Sequence, residues 1–582
     1  MQRFKSKKFI LGFLLTAFYL CVMVVSLPGI GLTDDVDFYA RASLRYSEWF
    51  GRAANDLAHF KTDAFRSNVS DQYWGDNREH PPFAKLVMGF THSIFHNLLG
   101  VAGTIDGLRL GTILLSTLLA LMLFLLAYEE IGVAASVFAP LALLTMPRFF
   151  FHSHAETLDV PVAATFFLSF FAFWKAQRSW RWALFAGVAF GFALSTKLNA
   201  PFLLVMLVLW WLVKNASEFG WEKTKGLVIP AIPLWLPSMV FIGFFVFFVM
   251  WPWLWFDTFQ RLGGYMGFHL KHYGILFSYF GKIYDTPFAP WHAPWVMAGI
   301  TTPPLTLVLA LFGIVLSLLA IVGARHALPF EVRRTQEGGR PGEGQPQGVA
   351  PTSFISGHEN ASIDRARDFK TLLLLGCLFT IGPVSFLGTP KYGGVKLFLP
   401  FFPFLILLGG ISVQWLADCS VRALKAAQKP VLTNVLAIGI PVLLVLPAGV
   451  SLARVHPYHL SYYNAVIGGL EGAANAGMER QYYDIFYRGL VDWMNKDLPE
   501  YAAVTFLPNN KEYVRSGPWY KRDGILRNDI RLVDLSQAQY LVLTHEERWP
   551  EWPSLKNQYS KYPVIHEIKV EGVPLLTVYK LK

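Results

Sequence analysis

Repeated long apolar runs constrain the fold of this chain more than any other feature of its sequence. A helix of about 20 apolar residues crosses the hydrocarbon core of a bilayer, and several of the runs reach that length. The composition agrees, because 16% of the 582 residues are charged and 53% are hydrophobic, whereas soluble domains carry about 25% charged residues. We therefore predict an α-helical polytopic membrane protein with about eleven transmembrane helices. The runs cover residues 9–32, 107–128, 133–151, 157–174, 182–197, 200–213, 227–256, 296–323, 371–388, 397–416 and 430–453.

Basic residues predict the orientation of these helices. The first run follows a basic N-terminus and is longer than the apolar core of a signal peptide, so we expect a transmembrane helix that starts in the cytoplasm; a cleaved signal peptide is the alternative. An odd number of spans then places the C-terminal region outside. The net charge of +11 follows from the positive-inside rule and the anionic cytoplasmic leaflet, so membrane lipids are expected partners and nucleic acid is not. Basic residues that this orientation puts in the cytoplasm include Lys175, Arg178, Arg181, Lys214, Arg422, Lys425 and Lys429.

The chain divides into a membrane domain, residues 1–453, and a more polar region, residues 454–582, predicted to be a small α/β domain outside the membrane. The membrane domain includes a large outer loop, residues 31–106, and a cytoplasmic connection, residues 325–370. The predicted local elements are a surface helix over 84–99, a disordered stretch over 336–351, strands over 502–507, 539–544, 564–570 and 575–581, and helices over 488–496 and 546–558.

Acidic residues follow the first apolar run directly. Asp34, Asp35 and Asp37 lie at the predicted outer mouth of the helix bundle, where apolar walls can shift the pKa of a carboxylate into the range of a general base. The alternative is structural, because Asp37, Arg41 and Arg45 have the spacing of an exposed helical charge ladder.

Two further groups of polar residues flank the second and fourth runs. The rigid turn His80-Pro81-Pro82 could direct His80 and Lys85 toward a pocket or could simply break a helix. Arg109 could bind a phosphate or extend to lipid headgroups. His152, His154, Glu156 and Asp159 could bind a divalent metal, could face a substrate, or could include a helix cap at Thr157 or Asp159.

Basic and aromatic residues also gather at the predicted outer side. Lys197 ends a segment in which Gly187 and Gly191 would allow close helix packing, and it could contact a phosphate or a headgroup. Lys391, Tyr392 and Lys396 precede the tenth run with the same two alternatives. Transfer from a phosphate-linked lipid needs a base for the acceptor and cations for the leaving phosphate, and this side of the bundle offers both.

Several short motifs resemble one family. Asp34-Asp35-x-x-Phe38 resembles the Asp-Glu-x-x-Phe motif of protein O-mannosyltransferases, and the segment from Glu79 to Leu86 resembles their His-Pro-Pro-Leu-Gly-Lys-Leu motif. The stretch from Gly187 to Lys197, Arg109, the segment from Pro390 to Pro403 and the segment from His456 to Asn464 are also similar to family stretches. Over most of residues 9–500 the chain resembles GT-C glycosyltransferases of the protein O-mannosyltransferase and aminoarabinose transferase-like group (glycosyltransferase family 39), bacterial type.

The resemblance implies a GT-C fold in the bacterial inner membrane and transfer of a hexosyl or pentosyl group from a polyprenyl-phosphate-linked sugar donor. Asp34 would be the catalytic base, and Asp35 stands where the family usually has Glu. The implied substrate-binding residues are His80, Lys85, Arg109, His154, Asp159, Lys197, Lys391, Tyr392 and Lys396. The acceptor stays open among a lipid, a glycan and a protein, and a divalent metal stays open as a cofactor.

Two other classes of function compete with an enzyme. A membrane transporter or lipid flippase would carry ionisable residues at mid-membrane between broken helices. In this sequence the ionisable residues lie at the ends of runs and in outer loops, which favours a glycosyltransferase. A non-catalytic scaffold or receptor is the third alternative, with the C-terminal domain as its binding module.

Overall fold

The computed structural model describes residues 2–222, 226–228, 230–271, 274–286, 288–323, 352–425 and 428–582. It is mostly helical up to residue 455 and ends in a region that contains a five-stranded sheet. The helices of the first part are α1 (Gln2–Val25), α2 (Val36–Ala58), α3 (Ser67–Trp74), α4 (Phe83–His92), α5 (Thr104–Glu130), α6 (Val133–Leu144), α7 (Pro147–His154), α8 (Asp159–Ala176), α9 (Trp180–Leu194), α10 (Pro201–Lys214), α11 (Trp235–Pro237), α12 (Gly243–Met250), α13 (Thr258–Leu270), α14 (Ala293–Thr301), α15 (Pro304–Val322), α16 (Thr352–Ser385), α17 (Phe401–Ala423) and α18 (Pro430–Val455).

Apolar helices define the class of protein. Within the described residues seven helices are long and apolar enough to cross a membrane, and α6 with α7 forms an eighth candidate that is bent by 67°. The seven are Lys8–Gly29, α5, α8, α15, Ile363–Ser385, α17 and α18. The shorter apolar helices are α9, α10 and Trp235–Met250. The predicted fold class, a helical membrane protein with a small C-terminal sheet region, is confirmed, whereas the count of eleven spans stays a prediction.

Proline explains where predicted runs differ from the helices. The run over 133–151 breaks before Pro147, which opens α7, and the run over 296–323 breaks before Pro304, which opens α15. Proline cannot donate a backbone hydrogen bond and disfavours helix in the residue before it. The run over 227–256 contains only Trp235–Met250 as apolar helix. Residues 336–351, predicted to be disordered, lie outside the described part of the chain.

Helices of the bundle pack closely where glycine replaces a side chain. A Cβ on Gly187 would collide with Ser238, and one on Gly191 would collide with Val246, so α9 lies directly against the segment Trp235–Met250. The packing role predicted for these two glycines is confirmed. On its other side α9 packs against α8, which in turn packs against α5.

The outer loop is largely helical. The predicted surface helix over 84–99 appears as α4 followed by a π-helical turn, Ser93–Leu98. On α2, both oxygens of Asp37 accept hydrogen bonds from Arg41 at 2.8 Å, so this part of the predicted charge ladder forms. The buried face of α2 presents Tyr39, Tyr46 and Trp49 to the rest of the loop.

The C-terminal region contains α19 (Gly469–Asn475), α20 (Arg488–Asp497), α21 (Asn510–Arg522) and α22 (Trp552–Tyr559). Two hairpins, β1 (Gly220–Glu222) with β2 (Gly226–Val228) and β3 (Leu276–Tyr279) with β4 (Lys282–Asp285), precede it. Its sheet has the order β6-β5-β7-β9-β8 and consists of β5 (Ala503–Leu507), β6 (Arg531–Leu532), β7 (Tyr540–Thr544), β8 (Val564–Val570) and β9 (Val573–Lys580). The four predicted strands and α20 are confirmed within two residues at each end. The predicted helix over 546–558 is wrong at its start, because α22 begins only at Trp552, and neither α21 nor β6 was predicted.

The C-terminal region docks on the outer loop and on α5. Asp523 accepts hydrogen bonds from the backbone N–H groups of Thr104 and Ile105, both at 2.9 Å, and so caps the start of α5. Trp519 donates to Asp37 on α2 at 3.1 Å. These hydrogen bonds connect the C-terminal region to α2 and α5.

Candidate active site

A short turn between α1 and α2 presents Asp34 and Asp35. Buried Arg109 holds the approach to this turn, because its two terminal nitrogens donate to the carbonyls of Ile30 at 3.0 Å and Gly31 at 2.7 Å. Glu156 pairs with the Nε of Arg109 and balances its charge. One oxygen of Asp34 is buried and has no hydrogen-bond partner among the described residues, so it is available to a ligand.

The surroundings of Asp34 shift its protonation equilibrium. Burial raises the pKa of Asp34 well above its usual value, and the carboxylates of Asp35 and Asp484 raise it further. Lys396 and Arg548 oppose this shift without cancelling it. A carboxylate with a raised pKa accepts a proton more readily near neutral pH, which is the property of a general base.

Lys396 forms an ion pair with this turn. Its Nζ lies 3.5 Å from Oδ2 of Asp35. It also lies 4.1 Å from the ring centre of Tyr483 and 5.1 Å from that of Tyr392. Burial disfavours the charge, but Asp35 and other neighbours raise the pKa of Lys396 above its ordinary value, so the ammonium stays charged.

A second ion pair lies at the start of α8. Nζ of Lys197 is 2.8 Å from Oδ1 of Asp159, and the hydroxyl of Tyr483 donates to Oδ2 at 3.1 Å. His152 places its Nδ1 3.9 Å from the same oxygen. Because Tyr483 contacts both Asp159 and Lys396, the two ion pairs belong to one cluster, which we call the acid–base cluster: Asp34, Asp35, Asp159, Lys197, Lys396 and Tyr483.

His80 borders the acid–base cluster. Its ring lies 6.0 Å from that of Tyr39, and its buried Nδ1 has no hydrogen-bond partner among the described residues. Burial lowers the pKa of His80 well below its usual value, and Lys197 and Lys85 lower it further, so the imidazole is neutral. The backbone N–H of Phe83 donates to the carbonyl of Ser195 at 2.7 Å and links the His-Pro-Pro turn to the segment that carries Lys197.

Three of the predicted substrate-binding residues make hydrogen bonds to protein groups outside the acid–base cluster, and their role at the substrate stays a prediction. Lys85 is fully buried and donates to Asn77 and to the carbonyl of His80 at 2.7 Å, so it braces the turn. Arg109 braces the Asp34 turn as described above. His154 contacts the backbone carbonyls of Phe150 and Met23 through its two ring nitrogens, both at 2.8 Å. Each of the three has its polar atoms committed to protein groups.

Lys391 and Tyr392 lie on the loop before α17. Nζ of Lys391 donates to the carbonyls of Phe386 at 2.8 Å and Thr389 at 3.1 Å, so Lys391 stabilises the loop. A narrow cavity of about 10 Å³ adjoins both residues and is otherwise mainly apolar. Its further lining residues are Phe277, Ala293, Pro294, Met297, Val384, Gly394, Leu397 and Phe398.

The four residues considered for a divalent metal separate in the structure. Glu156 pairs with Arg109, His154 contacts backbone carbonyls, and His152 lies near Asp159, which Lys197 already neutralises. Among the described residues no group of three or more His, Cys, Asp or Glu side chains is arranged to hold a metal ion. The structure therefore offers no donor set for the metal considered from the sequence.

Four residues that lie in or beside the acid–base cluster were not predicted from the sequence: Tyr39, Tyr483, Asp484 and Arg548. Tyr39 follows Asp35 by four residues, so helical spacing on α2 could have indicated it. Tyr483 and Asp484 lie about 450 residues from Asp34, and Arg548 lies in a predicted helix that does not form there. No sequence pattern reports such distant contacts.

A family model matches part of the chain. Residues 79–253 match the family model described as dolichyl-phosphate-mannose-protein mannosyltransferase. This segment contains the His-Pro-Pro turn, Arg109, Asp159 and Lys197. No curated protein sequence matches the chain.

Solved structures align with the chain at low identity. ArnT from Cupriavidus metallidurans in the apo state is 14% identical with a TM-score of 0.46, and the alignment covers 99% of this chain and 98% of that one. AglB from Archaeoglobus fulgidus, in complex with an inhibitory peptide and a dolichol-phosphate, is 11% identical with a TM-score of 0.43 over 97% and 74%. The Saccharomyces cerevisiae Pmt1-Pmt2 complex bound to the sugar donor is 17% identical with a TM-score of 0.32 over 44% and 34%.

The segment 79–253 matches the protein mannosyltransferase family, which confirms for this part of the chain the resemblance to GT-C glycosyltransferases seen in the sequence.

Proposed function

We propose that this protein transfers a sugar from a polyprenyl-phosphate donor to an acceptor hydroxyl on the outer face of the membrane. The observation that carries the proposal is the acid–base cluster, in which Asp34, with one buried oxygen that has no hydrogen-bond partner among the described residues, lies near the ion pairs Lys396–Asp35 and Lys197–Asp159. The family description of the matching segment names a polyprenyl-phosphate-linked sugar, dolichyl-phosphate-mannose.

The proposed reaction is a single inverting displacement. Asp34 takes the proton of the acceptor hydroxyl while the acceptor oxygen forms a bond to the anomeric carbon. The bond from that carbon to the phosphate oxygen breaks, and polyprenyl phosphate leaves with the electron pair. Lys396 and Lys197 would stabilise the charge of the leaving phosphate, and neutral His80 would hydrogen-bond the donor through its free Nδ1.

The transporter and flippase alternative is less well supported. It calls for paired broken helices around ionisable residues at mid-membrane. In the described part of the chain one helix pair, α6 with α7, is bent in this way, and Asp34, Asp35 and Lys396 all lie in turns outside the candidate spans.

A donor-turnover assay tests the proposal. Purified protein in nanodiscs is offered a panel of polyprenyl-phosphate sugars together with a membrane extract as acceptor, and released polyprenyl phosphate is measured. We expect turnover of one donor and a loss of about 10²–10⁴-fold in Asp34→Asn, the range typical of general-base catalysis. Asp63→Asn is the matched control, since Asp63 is an acid of the same outer loop that pairs with exposed Arg66. Wild-type protein that consumes no donor, or an Asp34→Asn variant with near-normal turnover, would contradict the proposal.

A further inference from the structure

The C-terminal region reaches the turn that carries Asp34. Leu32 and Phe486 form an antiparallel bridge with N–H···O distances of 3.1 and 2.9 Å. The hydroxyl of Tyr520 donates to the carbonyl of Phe486 at 2.9 Å and fixes this strand on α21. Asp34 lies two residues after Leu32, and Asp484 lies two residues before Phe486. Antiparallel pairing therefore places the two carboxylates near each other.

Asp484 is built into a buried network of the C-terminal region. Its exposure is 3%, and its two oxygens accept hydrogen bonds from Asn509 at 2.6 Å and Arg548 at 3.1 Å. Arg548 also donates to Glu546 at 2.8 Å. Both oxygens of Asp484 thus accept hydrogen bonds that hold its carboxylate in place, and the side chain of Glu546 also contacts it.

The groups that face Asp34 come from both parts of the molecule. Asp35 and Lys396 belong to the membrane part, whereas Asp484, Arg548, Tyr483 and Tyr513 belong to the C-terminal region. Two neighbouring carboxylates repel each other when both are ionised, and the repulsion ends when one of them takes a proton. The carboxylate of Asp484, held in a fixed place near Asp34, therefore favours transfer of a proton to the free oxygen of Asp34.

We propose that Asp484, held by Arg548 and Asn509, is a positioning residue through which the C-terminal region completes the active site and strengthens Asp34 as a base. This inference rests on the proposed function. In the reaction the acceptor O–H bond breaks, an O–H bond forms on Asp34, and Asp484 takes no part in the proton transfer.

The test is the pH profile of donor turnover in the full-length protein. Asp34 acts when ionised, so turnover rises with pH through its pKa. Removing the charge in Asp484→Asn should move this limb to lower pH by about one unit and lower the plateau rate several-fold, with the KM for the donor unchanged. Asp484→Glu keeps a carboxylate at this position and should retain the wild-type pH profile. Arg548→Gln should move the limb to higher pH, because the opposing cation is lost.

Asp492→Asn is the matched control, since Asp492 is an exposed acid of the same region that pairs with Arg488. An unshifted limb in Asp484→Asn, with wild type active and Asp34→Asn inactive, overturns this inference alone. A wild type without turnover on any donor overturns the proposed function as well. If Asp484→Asn does not fold, Arg548→Gln decides: a limb at higher pH supports the inference, and an unchanged or lower limb overturns it.

Discussion

The buried ion pair between Lys197 and Asp159 makes a prediction about stability that is separate from catalysis. The two side chains are 15% and 5% exposed, and Nζ lies 2.8 Å from Oδ1. Lys197→Met keeps the length and apolar stem of the side chain but removes the ammonium. Asp159 would then remain buried with the hydrogen bond from Tyr483 and no charged partner at contact distance.

The magnitude follows from the distance. Unit charges 2.8 Å apart attract by about 6 kcal/mol at an effective dielectric constant of about 20, and desolvation offsets part of this. Removing one partner of a buried pair costs about 3–5 kcal/mol, and Tyr483 mitigates the loss, so we expect about 3 kcal/mol for Lys197→Met. Asp159→Asn should cost about 1–2 kcal/mol, since Lys197 can turn to water. The double variant should lose about 2 kcal/mol less than the sum of the two.

The assay is equilibrium unfolding in mixed detergent micelles with increasing dodecyl sulfate, followed by helical circular dichroism. Lys214→Met is the matched control, because its ion pair with Asp368 is far more exposed and should contribute less than about 1 kcal/mol. Free energies of unfolding that add to within about 0.5 kcal/mol in the double variant would refute direct coupling. If the double variant is more stable than the sum of the single variants predicts but does not regain donor turnover, the result would agree with a role for both residues at the substrate.

Three more outcomes are expected. Wild-type donor turnover should increase as the pH rises through the raised pKa of Asp34, because this carboxylate acts as a base only when it is ionised; a rate that is flat from acidic to neutral pH would contradict the role of Asp34. Lys85→Met should lower the free energy of unfolding by more than about 2 kcal/mol, because the buried oxygens that Lys85 contacts lose their donor; an unchanged unfolding midpoint would argue against the brace. Asp523→Ala should cost about 0.5–2 kcal/mol and speed proteolysis of the C-terminal region, whereas Asp492→Ala should do neither.

The sequence predicted helices best where one physical rule acts alone. The length of the apolar runs identified α5, α8, α17 and α18, because a helix needs about 20 mainly apolar residues to cross the bilayer. Breaks within apolar runs were missed at Pro147, since a run remains apolar across a proline that ends a helix. In the C-terminal region alternating apolar residues predicted β7 and β8, but the two-residue β6 carries too little pattern to be recognised.

The candidate site was predictable only in part. Asp34, His80 and Lys197 were recognised from local motifs, and the structure brings all three to one region. Lys85 and Arg109 are basic, as residues that bind a phosphate would be. Only their buried hydrogen bonds to backbone carbonyls indicate that they stabilise the protein. The nearness of Asp484 to Asp34 depends on tertiary pairing, which no local pattern encodes.

The bridge between Leu32 and Phe486 has a consequence for biogenesis. Its two halves are made at opposite ends of translation, so the ribosome must complete almost the whole polypeptide before the bridge closes. The helices before residue 455 are therefore synthesised before Asp34 can gain its neighbours from the C-terminal region. A polypeptide that terminates before residue 486 would lack this bridge.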